Sequence, residues 1–293
     1  MLDPVPSPWL VPPEGLPENP ATAPAEPPAK KQLKRALEAS VDALYELQRK
    51  LYADDRFSVL LVFQALDAAG KDSTIRKVLS GVNPAGCHVT SFKAPSKEEL
   101  DHDFLWRTSK ALPERGRIGV FNRSYYEEVL VVRVHPEYLG GQRLPFLPED
   151  VGGEAFWARR LESIAEHEKH LARNGTVILK FWLNVSRDEQ ARRILDRIHD
   201  PRKNWKYNPD DVDEREHWDA YQAAFRAAID ATNTPWAPWY AIPADHKPYM
   251  RATVADIVRR RLESLPLRWP TLPSRDRDTM EEVERLLREE LEA

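Results

Sequence analysis

The segment Gln64-Ala-Leu-Asp-Ala-Ala-Gly-Lys-Asp-Ser-Thr74 carries the residue types that phosphate chemistry requires. It follows a short apolar run, Phe57 to Gln64, and precedes a helix expected from near Asp72. A strand, a glycine turn, a lysine and a helix N-terminus bring backbone N–H groups, a dipole end and one ammonium to a single point. Ala68, Ala69, Gly70, Lys71, Asp72 and Ser73 form that phosphate-facing set. The pattern GxxxxGK[ST] fails at two places, because Ala65 stands for the first glycine and Asp72 for the Ser/Thr. The bland alternative is that Gly70-Lys71 ends a strand and Asp72 caps the next helix. Asp67 argues against it: a carboxylate among phosphate-facing amides makes sense when a cation accompanies the phosphates, and Mg²⁺ is the obvious candidate.

A second group lies where the strand Arg117 to Phe121 runs into Asn122-Arg-Ser-Tyr-Tyr-Glu-Glu-Val-Leu-Val-Val-Arg133. Open parallel sheets bind ligands at the carboxyl ends of their strands, so Asn122 and Arg123 should share a crevice with Lys71. Arg123 would clamp a phosphoryl oxygen there. Glu127, one helical turn later, would assist a metal or an acceptor, or else face solvent. Farther along, Arg187 to Lys206 holds seven Arg and Lys against four acids. Arg193 and Arg197 fall on one helix face, Asp200-Pro201 ends that helix, and Lys203 and Lys206 follow. Converging positive charge beside a phosphate loop describes a lid over a polyanion; a solvated basic face is the alternative.

Other clusters are weaker. Asp210, Asp211 and Asp213 suggest a metal, but Asp213 with Glu216 fits a capping box before the Trp218-Tyr221-Phe225 helix, and the cap is preferred. Glu166-His-Glu-Lys-His170 lacks the His-Glu-x-x-His spacing and reads as a wet helix face. Trp236, Trp239 and Tyr240 are either stacking surfaces or, preferably, core. No Ser or Cys sits in a nucleophile elbow.

The elements that must position these groups follow from pattern. Leu37, Val41, Leu44, Leu47 and Leu51 form one stripe of a helix. Buried-strand runs at Phe57 to Gln64, Cys87 to Phe92, Arg117 to Phe121, Thr176 to Val185 and Pro238 to Ile242 alternate with helical patterns near 72–80, 97–111, 124–133, 155–173, 187–199, 213–230 and 248–264. This is an α/β chain with a parallel five-stranded sheet and helices on both faces. The expected divisions are a Pro-rich arm at 1–30, holding ten of the 25 prolines, one domain at 31–270 with its lid near 186–212, and a charged helix at 271–293.

Composition sets the limits. With 43 Lys+Arg against 47 Asp+Glu the net charge is -4, which argues against duplex nucleic acid as the main partner. The single cysteine, Cys87, can form neither an intramolecular disulfide nor a zinc cluster, so a reducing, cytoplasmic setting is expected. No apolar stretch reaches the length of a membrane span, and the first thirty residues do not read as a signal peptide.

Taken together, Asp67-Ala-Ala-Gly-Lys71, Phe121-Asn-Arg-Ser-Tyr-Tyr126 and the block Gln190-Ala-Arg-Arg193 through Arg197 to Asp200-Pro-Arg-Lys-Asn-Trp-Lys206 resemble the second polyphosphate kinase family, over about residues 30 to 265. Phe92-Lys-Ala-Pro-Ser96 and Phe104-Leu-Trp-Arg107 look like its acceptor-side region. The resemblance implies a three-layer α/β/α sandwich of phosphate-loop kinase type with a helical lid. It also implies Mg²⁺-dependent transfer between inorganic polyphosphate and AMP, ADP or ATP, and a homo-oligomer. It assigns Asp67 and Asn122 to metal, Lys71 and residues 68–73 to phosphate, and Arg123 to the transferred phosphoryl. Arg193, Arg197, Lys203 and Lys206 go to the polymer, and Lys93, Arg107 and Arg133 to the nucleotide. Many members carry Asp where this chain has Asn122, and Asn where it has Glu127; the exchange resembles the subclass that accepts both AMP and ADP.

An acceptor phosphate is already anionic, so in-line positioning, charge neutralisation and water exclusion suffice without a general base. Two rivals remain open on the residues alone. One is an ATP-dependent nucleoside-monophosphate kinase, against which the length of the cationic track counts. The other is a non-catalytic polyphosphate- or nucleotide-binding protein, against which intact Asp67, Lys71 and Arg123 count.

Overall fold

A computed structural model of the chain describes residues 3–145 and 151–292, apart from the side chains at 206, 210, 274, 275 and 278. Five parallel strands form one sheet in the order β2-β3-β1-β4-β5, with β1 Ser58–Gln64, β2 Cys87–Ser91, β3 Ile118–Asn122, β4 Thr176–Asn184 and β5 Trp239–Pro243. Every residue of β1 is buried, as a central strand covered on both faces requires. Val59, Leu61 and Phe63 pack on one face with α1 (Lys30–Asp54), α2 (Lys71–Val78) and α10 (Lys247–Ser264). Leu60 and Val62 pack on the other with α6 (Glu154–Arg173) and α9 (Trp218–Thr232). Each such aliphatic side chain contributes roughly 1.5–3 kcal/mol when taken fully out of water. The expected three layers are therefore present.

The chain leaves β1 for β2 and β3 on one side and crosses to β4 and β5 on the other, so the sheet's switch point falls at the carboxyl end of β1. That end is where the phosphate loop begins. Helix α7 (Arg187–His199) rises beyond the carboxyl end of β4, followed by a 3-10 turn at Asn204–Lys206 and α8 (Asp210–Asp213).

Three expectations need correction. The helix expected at 97–111 is two short pieces, α3 (Lys97–Leu100) and α4 (Trp106–Ser109), because the Asp103 side chain captures the Leu105 N–H at 2.9 Å and turns the chain between them. The helix at 124–133 is a 3-10 turn, Tyr125–Glu128, and then α5 (Val131–Val134), with Ser124 Oγ accepting the Tyr126 N–H. Strand β2 is not buried on both faces: it is an edge, and three of its five residues are exposed.

The Pro-rich arm covers its own chain. Trp9 O accepts from Ala241 N at 2.8 Å and Val11 N donates to Trp239 O at 2.9 Å, so the arm lines the open edge of β5. Its own side chains Val5, Val11 and Leu16 are buried against the domain. A proline-rich segment blunts an edge without extending the sheet. At the other end, α11 (Ser274–Glu292) leaves Met280, Val283, Leu286 and Leu287 exposed.

Candidate active site

The loop after β1 turns left-handed at Ala68 (φ 60°) and again at Gly70 (φ 108°). Gly70 is the N-cap of α2 and offers no side-chain acceptor, so the first-turn amides keep no intrahelical partner and stay open to an anion. Asp72 is not the cap; its Oδ1 accepts from Asn122 Nδ2 at 2.7 Å, which ties the start of α2 to the end of β3. Lys71 is buried and curls back on the loop, donating to the carbonyls of Ala65 (2.6 Å) and Leu66 (3.2 Å) with Asp67 at 3.9 Å. Burial pushes its pKa below that of an ordinary lysine, against the pull of Asp67.

Arg123 follows β3 with φ of 63°, a conformation costing about 1–2 kcal/mol for a residue with a Cβ. Its Nη2 donates to Asp67 Oδ1 at 2.8 Å, and its Nη1 to Glu127 Oε2 at 3.4 Å. Glu127 also accepts from Gln64 Nε2 at 2.7 Å, so it faces the crevice, not solvent. Burial acts to raise the Asp67 pKa, but the charges of Lys71 and Arg123 hold it below the usual carboxylate range. Glu127 and Asp67 in turn hold the Arg123 guanidinium firmly protonated.

What holds Arg123 in its left-handed turn lies beneath it. Tyr125 OH donates to Glu168 Oε1 at 2.9 Å, and Tyr126 OH lies 2.8 Å from both Glu168 Oε1 and Thr232 Oγ1. Lys180 Nζ donates to Glu168 Oε2 at 2.6 Å, to Tyr126 OH at 2.9 Å and to Thr232 O at 2.8 Å. All these side chains are fully buried, and burial drives the Lys180 pKa down to about 8 and the Glu168 pKa up. Glu168 is thus the inward position of the segment expected as a wet helix face.

A cleft of about 650 Å³ opens at this end of the sheet. Asp67, Arg123 and Glu127 line it from the phosphate-loop side, Lys93, Arg107 and Glu128 from the side of β2 and α4, and Asp211, Glu214 and Tyr221 from the side of α8 and α9. Arg107 is buried, stands over the Phe92 ring and donates to Lys93 O at 2.7 Å. Tyr221 OH donates to Glu214 Oε2 at 2.6 Å, and Arg160 donates to Glu128 Oε2 at 3.1 Å behind the wall.

The lid residues are placed differently from expectation. Arg193 is buried, and its donors are all engaged: Nε to Glu189 (2.8 Å), Nη1 to the carbonyls of Ala68 (3.2 Å) and Ala69 (2.7 Å), Nη2 to those of Ala244 (2.6 Å) and Asp245 (3.1 Å). It braces the phosphate loop with no donor left for a polymer. Gln190 Nε2 adds a bond to Asp67 O at 3.1 Å. Arg197 pairs with Asp211 at 2.7 Å, and Lys203 with Asp200 at 3.1 Å; the Lys206 side chain lies outside the described residues. Asp211 is therefore an ion-pair partner. Asp213 and Glu216 do not cap α9, whose N-cap is His217, because the chain turns between them and the helix. Arg133 is absent from the cleft lining: it donates to Glu154 at 2.9 Å and stands over Trp157. Trp239 and Tyr240 are core.

Two oxygens suit a divalent cation. The Asp67 carboxylate is partly exposed, and Asn122 Oδ1 is buried with no hydrogen-bond partner. Among the described residues no group of three or more His, Cys, Asp or Glu converges. One carboxylate and one amide oxygen suit Mg²⁺, which usually completes its shell with water and substrate phosphates.

The family model described as polyphosphate kinase 2 matches residues 28–266. A protein of Rhodopseudomonas palustris named ADP-polyphosphate phosphotransferase is 51% identical over 249 residues, covering 85% of this chain and 86% of its own length. One of Meiothermus ruber named AMP/ADP-polyphosphate phosphotransferase is 44% identical over 227 residues, covering 78% of this chain and 80% of its own. The crystal structure of polyphosphate kinase 2 from Arthrobacter aurescens TC1 superposes with a TM-score of 0.79 at 38% identity, covering 88% of this chain and 89% of that one.

Proposed function

The chain belongs to the polyphosphate kinase 2 family, and from that premise we propose that it moves phosphoryl groups between inorganic polyphosphate and nucleotides, phosphorylating AMP to ADP and ADP to ATP. The observation that carries this is the union of an open-capped phosphate loop, the Arg123–Asp67 pair and one cleft large enough for a nucleotide. The acceptor occupies the cleft, with Lys93 and Arg107 on its wall. The phosphate to be transferred sits against residues 68–73, where loop amides and the α2 dipole favour negative charge. Arg123, shared between Asp67 and Glu127, would neutralise the charge that shifts between donor and acceptor oxygens.

Lys71 rests on loop carbonyls and needs a side-chain rotation to reach a phosphate oxygen. Mg²⁺, held through Asp67 and Asn122, would supply neutralisation of the bridging phosphate oxygens. Residues 31–270 form the catalytic unit, with the segment 186–212 as its lid, whose helix α7 is anchored to the phosphate loop by Arg193. The proposal extends to a homo-oligomer in the cytoplasm. The exposed apolar residues of α11 support self-association, and the lone thiol of Cys87 supports a reducing compartment. No helix among the described residues is long and apolar enough to cross a membrane.

The acceptor range rests on Glu127. Its carboxylate adds negative charge beside Arg123 and lines the cleft, where it would compensate for neutral Asn122. Purified protein with Mg²⁺ and long-chain polyphosphate, offered AMP or ADP separately, should yield ADP and then ATP by chromatography. Glu127→Asn should lower kcat/KM for AMP more than for ADP, and an equal loss for both would sink the dual-range reading.

A further inference from the structure

The proline-rich arm is held carbonyl by carbonyl by side chains of the domain. Asn233, the C-cap of α9, donates from Nδ2 to Val11 O at 3.0 Å and to Pro12 O at 3.1 Å. On the same face of α9, Asp230 Oδ1 accepts from Leu16 N at 2.6 Å, and Arg226 donates to the carbonyls of Leu16 (2.7 Å), Pro17 (2.8 Å) and Glu18 (2.9 Å). Prolines lack an N–H and hold the chain extended, so such a segment presents its carbonyls at a low entropic cost of ordering. The arm then runs on to the carboxyl end of β4. There the buried Asn184 donates from Nδ2 to Pro20 O at 3.0 Å and Ala21 O at 3.1 Å, and Asp245 N donates to Thr22 O at 2.9 Å.

Those last contacts fall on the turn between β5 and α10, and that turn carries the brace of the phosphate loop. Asn184 O accepts from Ala244 N at 2.9 Å, and Asp245 Oδ1 accepts from the N–H of Ser186, the N-cap of α7, at 2.8 Å. Ala244 O and Asp245 O are the acceptors of Arg193 Nη2, while Arg193 Nη1 holds Ala68 O and Ala69 O. Blunting the β5 edge needs only the contacts of Trp9 to Val11; residues 20–22 lie beyond them, at the end of the sheet where the cleft opens. We propose that residues 20–22 of the arm are a strap that positions the phosphate loop, with Asn184 as the positioning residue. The strap fixes the Ala244–Asp245 turn, the turn fixes the Arg193 guanidinium, and Arg193 fixes the carbonyls of Ala68 and Ala69. A misplacement of about 1 Å at a reacting centre costs up to about a hundredfold in rate, so a loosened brace shows in kcat. The effect on rate rests on the phosphoryl-transfer reading above; the strap itself is a claim about the loop.

Asn184→Asp and Asn233→Asp are a matched pair for the test, since each takes an amide donor from two arm carbonyls, one at the loop end and one at the far end. An aspartate at 233 keeps an acceptor for Trp239 N. Asn184→Leu removes the same donor as Asn184→Asp without adding charge. In the full chain both Asn184 variants should lower kcat with polyphosphate and AMP about tenfold, with the KM for AMP within about twofold of the parent. Asn233→Asp should lose similar stability in urea unfolding yet keep kcat within about twofold. In an Arg193→Lys background, Asn184→Leu should lower kcat by less than about twofold more, because the path runs through Arg193. Amide exchange across residues 64–74, followed by mass spectrometry, should quicken about tenfold in both Asn184 variants and stay at the parent rate in Asn233→Asp. Parent kcat and parent loop exchange in the Asn184 variants, or an equal change of both in Asn233→Asp, would make the arm a cover and nothing more. If the parent itself transfers no phosphate from polyphosphate, the functional reading falls, and loop exchange alone decides for or against the strap.

Discussion

The guanidinium of Arg123 donates to the Asp67 carboxylate at 2.8 Å, joining the residue that follows β3 to the loop that follows β1. The two strands are hydrogen-bonded neighbours, with Phe63 opposite Asn122, so the pair closes the mouth of the sheet at its switch point. One cation is thereby held between two carboxylates, Asp67 and Glu127.

Arg123→Ala should lower kcat by about 10²–10³-fold, the range seen when a preorganised donor to a developing charge is removed. The KM for AMP should change far less. Steady-state kinetics in both substrates checks this, and a near-parent kcat would remove Arg123 from the site.

Arg193 should behave as a brace. Its guanidinium ties four carbonyls from two loops, and a lysine cannot reproduce that fork. Arg193→Lys should therefore lose nearly as much as Arg193→Ala, at least about 2 kcal/mol of stability in urea unfolding. A lysine variant with parent stability and kcat would show that only the charge matters.

The pH profile follows from Lys71, whose pKa burial lowers. In free enzyme the ammonium loses its proton at a lower pH than an ordinary lysine, so the alkaline limb of kcat/KM should fall below the lysine range. Bound polyanion favours the charged form, so the alkaline limb of kcat should lie higher. Lys71→Arg, if active, should abolish that limb, and an unchanged limb would assign it elsewhere.

Lys180 and Glu168 form a fully buried ion pair at 2.6 Å. Removing either partner alone, as in Lys180→Met or Glu168→Leu, should cost roughly 3–5 kcal/mol by leaving its mate unpaired. The double variant should cost less than the sum of the two singles. Urea unfolding of all four proteins measures the coupling, and strict additivity would mean the pair is not a unit.

Much of this was legible in the sequence. All five strands fall within a residue or two of their expected places, although β2 is an exposed edge and not a strand buried on both faces. Asp67, Lys71, Asn122, Arg123 and Glu127 meet at one sheet end because they sit at the carboxyl ends of β1 and β3 or just beyond. The lid was less legible. A run of arginines shows charge but not its partners, and Arg193 turns inward to carbonyls, which leave no mark in a sequence. Glu168 is similar: its helix is amphipathic, and only Lys180 in the middle of an otherwise apolar strand hints that a buried counter-charge must exist.

The most direct measurement follows AMP with polyphosphate as the sole phosphoryl source by phosphorus NMR, beside a reaction in which ATP replaces the polymer. A phosphate-loop site with Arg123 at the transfer point and room for a polymer donor predicts loss of polyphosphate signal matched by the β-phosphate of ADP and then the γ-phosphate of ATP. Product formed with ATP alone as donor, or no product from either, would contradict it.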